Sequence, residues 1–139
     1  MKKIILFLFI LFSINSFVTA QQQKQLTLHC SFPKQLKGGD KIDLKVTVAH
    51  HLSKEQTGNV TLELFDANTN KSVDGWFLNI FPFQYFTSIA GENFNTGFPF
   101  TVPSNFNGKI KIAIKAVCAN AKDSLSQTFT IHSKITGDE

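Results

Sequence analysis

The chain has 139 residues, with 14 basic and 10 acidic side chains and a formal charge of +4. Every basic side chain is Lys and none is Arg, so the planar two-pronged grip on phosphate that Arg supplies is missing. Scattered lysines without Arg argue against a nucleic-acid footprint and for a solvated surface.

Residues 1–20 read as an export signal. Lys2 and Lys3 give a positive start, Ile4 to Phe12 is an apolar run too short to span a bilayer, and Val18-Thr19-Ala20 supplies small residues for cleavage after Ala20. The expectation is an exported chain, periplasmic or secreted, with no membrane span once the signal is cut. No Cys opens the mature chain, so a lipid anchor is not expected. Residues 21–139 suit a single domain with its own core. Removal of Lys2 and Lys3 leaves 12 Lys against 10 acids.

Gln21 to Gln25 reads as a flexible polar lead to a domain over 26–132. Leu26 to Cys30 alternates with period two, a short first strand, and Pro33 follows it. Gly38-Gly39-Asp40 is a turn by composition. From Lys41 to His50, Ile42, Leu44, Val46 and Val48 share one side and Lys41, Asp43, Lys45 and Thr47 the other, the cleanest half-buried strand of the chain. His50-His51 reads as a loop end. Val60, Leu62 and Leu64 alternate with Thr61, Glu63 and Phe65, and Asp66 to Lys71 reads as a hairpin loop.

Val73 to Phe83 is less regular, with Gly75 and Pro82 interrupting Trp76, Phe77, Ile80, Phe81 and Phe83; a short strand or an irregular crossing is expected. Tyr85 to Ala90, Phe94 to Val102, Lys109 to Cys118 and Leu125 to Ile131 complete the strands, with turns at Gly91 to Asn93, Asn105 to Gly108 and Asn120 to Asp123. Residues 133–139 form a polar tail, expected to fray. Seven to eight strands without helical crossovers predict an all-β fold, an antiparallel Ig-like β-sandwich. A small barrel or jelly roll is the alternative. The export compartment is oxidising, so Cys30 and Cys118 are candidates for a disulfide worth roughly 4 kcal/mol by loop closure. Two buried free thiols are the other reading.

The order of these signals resembles a macroglobulin-type domain of the bacterial alpha-2-macroglobulin family, particularly its Bacteroidetes-like sequences. Phe32-Pro33 precedes Gly39-Asp40-Lys41-Ile42; then come Gly58 to Ala67, Lys71 with Val73-Asp74, Gln84-Tyr85-Phe86 before Ala90-Gly91, Phe100-Thr101-Val102-Pro103, and Ile112 to Ala119. The likeness runs from about Phe32 to about Ile131. It implies the sandwich and an exported setting. Members of that family are large protease traps, many with a thioester in a Cys-Gly-Glu-Gln motif. Cys30 is followed by Ser31 and Cys118 by Ala119, so neither opens that motif, and no bait segment is evident.

Chemistry-bearing constellations are sparse. His29-Cys30 and His50-His51 are adjacent pairs, and neighbours on a strand face opposite ways, so each pair offers one ligand to a common centre. No catalytic, metal or cofactor site is expected. No Gly-x-Ser-x-Gly elbow occurs, and Gly38-Gly39 is not followed by a helix start. The aromatic run is the strongest remaining feature. Trp76, Phe77, Phe81, Phe83, Tyr85 and Phe86 form a candidate partner-binding surface, with core packing as the competing reading. The leading expectation is an exported, non-catalytic scaffold or interaction domain whose partner is another envelope or secreted protein, in association with a protease-inhibitor system. The alternative is a carbohydrate- or surface-binding module that uses exposed aromatics.

Overall fold

Hydrophobic alternation with period two forces each strand to bury one face, and two such sheets satisfy each other by stacking. The computed structural model describes residues 25–89 and 91–134. The export signal and most of the polar lead lie outside the described residues, as do the last five tail residues. Among the described residues there are seven strands: β1 (Leu26–Cys30), β2 (Lys41–His50), β3 (Gln56–Asp66), β4 (Phe83–Ser88), β5 (Asn93–Thr101), β6 (Gly108–Cys118) and β7 (Ala121–Ile131). They form a three-stranded sheet in the order β1-β2-β5 and a four-stranded sheet in the order β4-β3-β6-β7, all pairs antiparallel. No described residue is helical. The expected sandwich is therefore the observed fold, not a barrel.

The core lies between the sheets. Leu44, Val46 and Val48 of β2 face Val60, Leu62 and Leu64 of β3 and the Ile110, Ile112 and Ile114 row of β6, all buried. Phe98 and Phe100 of β5 and Phe129 of β7 fill the flanks. Gly39 turns the chain into β2 at φ 86°, a conformation that favours glycine. The Asp40 carboxylate accepts from the Lys37 amide at 2.8 Å and fixes the same turn. The start of the polar tail is held, because the Lys134 amide donates to the Ser104 carbonyl at 2.8 Å.

The disulfide does not form: Cys30 and Cys118 are both free. Topology gives the reason. The Leu28 amide donates to Asp123, which pairs with Ala116, whereas Phe32 packs its ring on Phe129, which pairs with Ile110. Progress from Leu28 to Phe32 thus runs away from the Cys118 end of β6. Cys30 and Cys118 end up about five strand residues apart, or about 15 Å along the strands, well beyond bridging reach.

Candidate functional site

Between β3 and β4 the chain crosses one end of the sandwich through residues 73–82, the irregular segment expected from Gly75 and Pro82. Two buried or half-buried polar side chains organise it. Asp74 Oδ1 accepts from the Leu64 amide at 2.8 Å and from Asn79 Nδ2 at 2.9 Å, and Asp74 Oδ2 accepts from the Ser72 hydroxyl at 3.0 Å. Asn79 Nδ2 also donates to the Leu62 carbonyl at 2.9 Å. The Asn79 amide donates to the Asp74 carbonyl, and the Phe77 carbonyl accepts from the Thr101 amide at 2.7 Å. Leu78 sits at φ 55°, a left-handed conformation that costs a leucine about 1 kcal/mol or more. Polar anchoring of the backbone holds it there while its side chain faces solvent.

The anchored loop sorts its aromatic residues. Phe77 turns inward and is fully buried, packed edge-on against Phe106 with ring centroids 5.0 Å apart. Trp76 lies across Phe106 at 5.3 Å and keeps its outer half in solvent. Strand β4 continues the sorting with period two: Phe83, Tyr85 and Thr87 face outward, while Gln84, Phe86 and Ser88 face inward. Phe86 is buried and stacks on Phe94 at 5.0 Å. Phe77 and Phe86 are therefore core residues, and the expectation that they belong to an exposed surface is corrected. Each is the inward member of an adjacent aromatic pair.

The four other expected surface residues are all exposed, Trp76 and Phe81 on the crossing loop and Phe83 and Tyr85 on β4. Trp76 is 52% exposed, Phe81 59%, Phe83 64% and Tyr85 77%. Leu78, Ile80 and Ile89 join them as exposed large apolar side chains. These seven are the large hydrophobic residues exposed among the described residues, and all lie between residues 76 and 89. Leu78, Ile80 and Ile89 were not among the candidate surface residues of the sequence. The outward parity of Phe83 and Tyr85 carries on to Ile89, and that signal was available.

Strand pairing sets this strip beside polar and cationic groups. Phe83 pairs with Thr61, which pairs with Lys115; Tyr85 pairs with Asn59, which pairs with Val117, and Val117 pairs with Lys122. Lys109, Lys111, Lys115 and Lys122 all occupy outward positions on β6 and β7, and Glu63 is the single acid at an outward position of the four strands. The Lys111 ammonium lies 5.4 Å from the centre of the Phe65 ring. The face thus grades from aromatic on β4, through hydroxyl and amide on β3, to ammonium on β6, over about 10 Å.

The histidines and cysteines do not converge. Among the described residues no three His, Cys, Asp or Glu side chains are grouped to hold a metal ion. His29, His51 and His132 are exposed on separate elements. His50 closes β2 rather than opening a loop, and it is the last inward residue of the Leu44, Val46, Val48 row. Its Nε2 donates to the Ser88 carbonyl at 3.1 Å, since a carbonyl can only accept. Burial pushes the Cys30 thiol up to about 11 and raises the Cys118 thiol as well, so neither is an activated nucleophile. No helix among the described residues is long and apolar enough to cross a membrane.

No protein-family model and no curated protein matches the chain. Solved structures do. A Salmonella alpha-2-macroglobulin reacted with methylamine is similar to this chain with a TM-score of 0.55 at 14% identity, over 78% of this chain and 7% of that one. The Escherichia coli native alpha-2-macroglobulin, spanning domain MG7 to the C-terminus, gives a TM-score of 0.55 at 13% identity, over 78% of this chain and 16% of that one. The chain thus has the fold of a macroglobulin-like Ig-type domain, and it spans a small part of the length of those proteins.

Proposed function

We propose that this chain is an exported, non-catalytic interaction domain of macroglobulin type that docks a protein partner through the face around Trp76, Phe81, Phe83 and Tyr85. One observation carries the reading: among the described residues seven large apolar side chains are exposed, and all fall within one stretch of fourteen residues. A run of exposed apolar side chains of this kind supports an interaction surface, and aromatic anchors dominate binding energy where such surfaces meet a partner. The partner is an envelope or secreted protein, in keeping with the export signal read from residues 1–20. Association with a protease-inhibitor system, and Bacteroidetes-like ancestry, are narrower forms of the proposal that rest on the resemblance and the fold likeness. Tagged chain cross-linked in an envelope extract should retain a specific protein, and Tyr85→Ala should lose it with the fold intact. A chain that retains nothing, or a variant that retains the same protein equally well, counts against the reading.

A second reading is favoured by one feature of the same face. Asn59 and Thr61 stand on β3 directly beside Tyr85 and Phe83, which places amide and hydroxyl groups next to ring faces, as sugar recognition requires. Glycan binding lost on Trp76→Ala with an unchanged fold would support that reading over a protein partner.

A further inference from the structure

The two sheets each end on the same side of the sandwich, one in β4 and the other in β5. An edge strand exposes unpaired main-chain groups and invites another strand unless it is blunted. The β5 edge is blunted. Pro99 has no N–H, the Gly97 carbonyl accepts from Gln84 Nε2 at 2.8 Å, and the Thr101 amide is taken by the Phe77 carbonyl.

The β4 edge is open. On β3 the even-numbered residues turn their main-chain groups toward β4: the Leu62 amide donates to the Pro82 carbonyl, and the Leu64 carbonyl accepts from the Val73 amide. In an antiparallel pair the hydrogen-bonded positions alternate, so Gln84 and Phe86 bond to β3 while Phe83, Tyr85 and Thr87 aim theirs outward. Among the described residues, no partner beyond β3 takes a main-chain group of Phe83, Tyr85 or Thr87. The stretch from Phe83 to Ile89 contains no charge, Pro or Gly, so no charge or proline blunts this edge.

We propose that a second copy of this chain pairs β4 to β4 across a two-fold axis at Tyr85, joining the two four-stranded sheets into one of eight strands. Chemistry selects this occupant. Antiparallel pairing about Tyr85 sets Phe83 opposite Thr87 of the second copy and Phe81 opposite its Ile89. Every outward residue from 81 to 89 then meets an uncharged one. The register uses the odd-numbered positions, whose main-chain groups are the free ones, and forms about six hydrogen bonds. Charge disfavours a face-to-face arrangement, since stacking the outer faces would set Lys109, Lys111, Lys115 and Lys122 against themselves. Edge pairing keeps the two copies of Lys115 five strand spacings apart, about 24 Å, where salt screens them. The dimer also moves the Phe83 and Tyr85 rings from a sheet edge to the middle of a continuous aromatic stripe with a lysine row on each side.

Light scattering and sedimentation of residues 21–139, which contain the whole sandwich, test it. The expected mass is twice that of the chain. Tyr85→Lys should return a folded monomer, whereas Asn95→Lys, on the blunted β5 edge, should leave the dimer intact. Tyr85→Cys should cross-link to itself under oxidation, and Thr87→Cys alone should not, because its counterpart is Phe83. A wild-type monomer, or a dimer that survives Tyr85→Lys, overturns the proposal. A monomer that still retains a protein from an envelope extract would overturn the dimer and leave the docking reading standing.

Discussion

The outer faces of the two sheets are built from the same alternation and differ in what they present. The three-stranded sheet shows Lys41, Asp43, Lys45 and Thr47 on β2 beside Asn93, Asn95, Gly97 and Pro99 on β5. Those groups satisfy one another: Lys45 pairs with Asp43 at 2.5 Å, and the Thr47 hydroxyl donates to Asn95 Oδ1 at 2.7 Å. Gly97 leaves room for the Asp43 carboxylate, which a Cβ there would strike. The four-stranded sheet shows Phe83 and Tyr85, four outward lysines and one outward acid. Apart from Lys111 over the Phe65 ring, no ion pair or ring contact among the described residues matches its outward lysines and the rings of Phe83 and Tyr85. The contrast supports the docking role proposed for the outer face of the four-stranded sheet.

The largest effect is expected at the loop that feeds the aromatic face. Asp74→Ala removes the acceptor of the Leu64 amide, of Asn79 Nδ2 and of the Ser72 hydroxyl. A lost charge-assisted bond together with orphaned buried donors should destabilise the chain by about 3 kcal/mol. The damage should be one-sided. Hydrogen exchange should quicken at Leu64, Phe77 and Asn79, with protection of the β1-β2-β5 sheet retained until global unfolding. Uniform loss of protection in both sheets would show that the loop is not an independently anchored unit.

A finer division runs within the aromatic face itself. Trp76 rests on Phe77 and Phe106 with ring centroids 6.2 and 5.3 Å away, so Trp76→Ala should cost about 2 kcal/mol in denaturant unfolding. Tyr85 is 77% exposed and has no ring partner among the described residues, so Tyr85→Ala should change stability by less than about 0.5 kcal/mol while abolishing retention of a partner. Equal stability losses for the two would mean that the face is packing surface throughout.

Sequence made the sandwich readable because the strands of its core alternate cleanly. Lys41 to His50 and Lys109 to Cys118 were bounded to within a residue, since inward Val, Leu and Ile are interleaved with Lys, Asp and Thr. The crossing from Val73 to Pro82 was read only as irregular. Its order comes from Asp74 and Asn79 reaching main-chain groups 10 and 17 residues back in the sequence, which no local pattern encodes. For the same reason, the inward turn of Phe77 beside outward Trp76 could not be assigned: a loop has no fixed parity. At Phe86 a parity was available, because Tyr85 and Phe86 share a strand and only one of them can face the core. The disulfide failed on topology, since composition gives a compartment but not the level of each Cys along its strand.

The smallest expected effect concerns the interior that both faces share. Burial raises the Cys30 thiol from 9.0 to about 11 and raises Cys118 too. In the folded chain both stay protonated where the unfolded chain would ionise. The folded state therefore holds more protons above pH 9, and the thiol contribution to stability, full below that value, should be lost as pH rises toward about 11. Cys30 is only half-buried, so solvent softens the slope. A disulfide-exchange reagent at pH 8 should label neither Cys in the native chain and both after denaturation. Stability in mild alkali should fall for the wild type and flatten in a Cys30→Ala, Cys118→Ala chain. Rapid native labelling at Cys118 would mean that β6 opens locally at its β7 turn, and protection would then differ between the two ends of the four-stranded sheet rather than between its two faces.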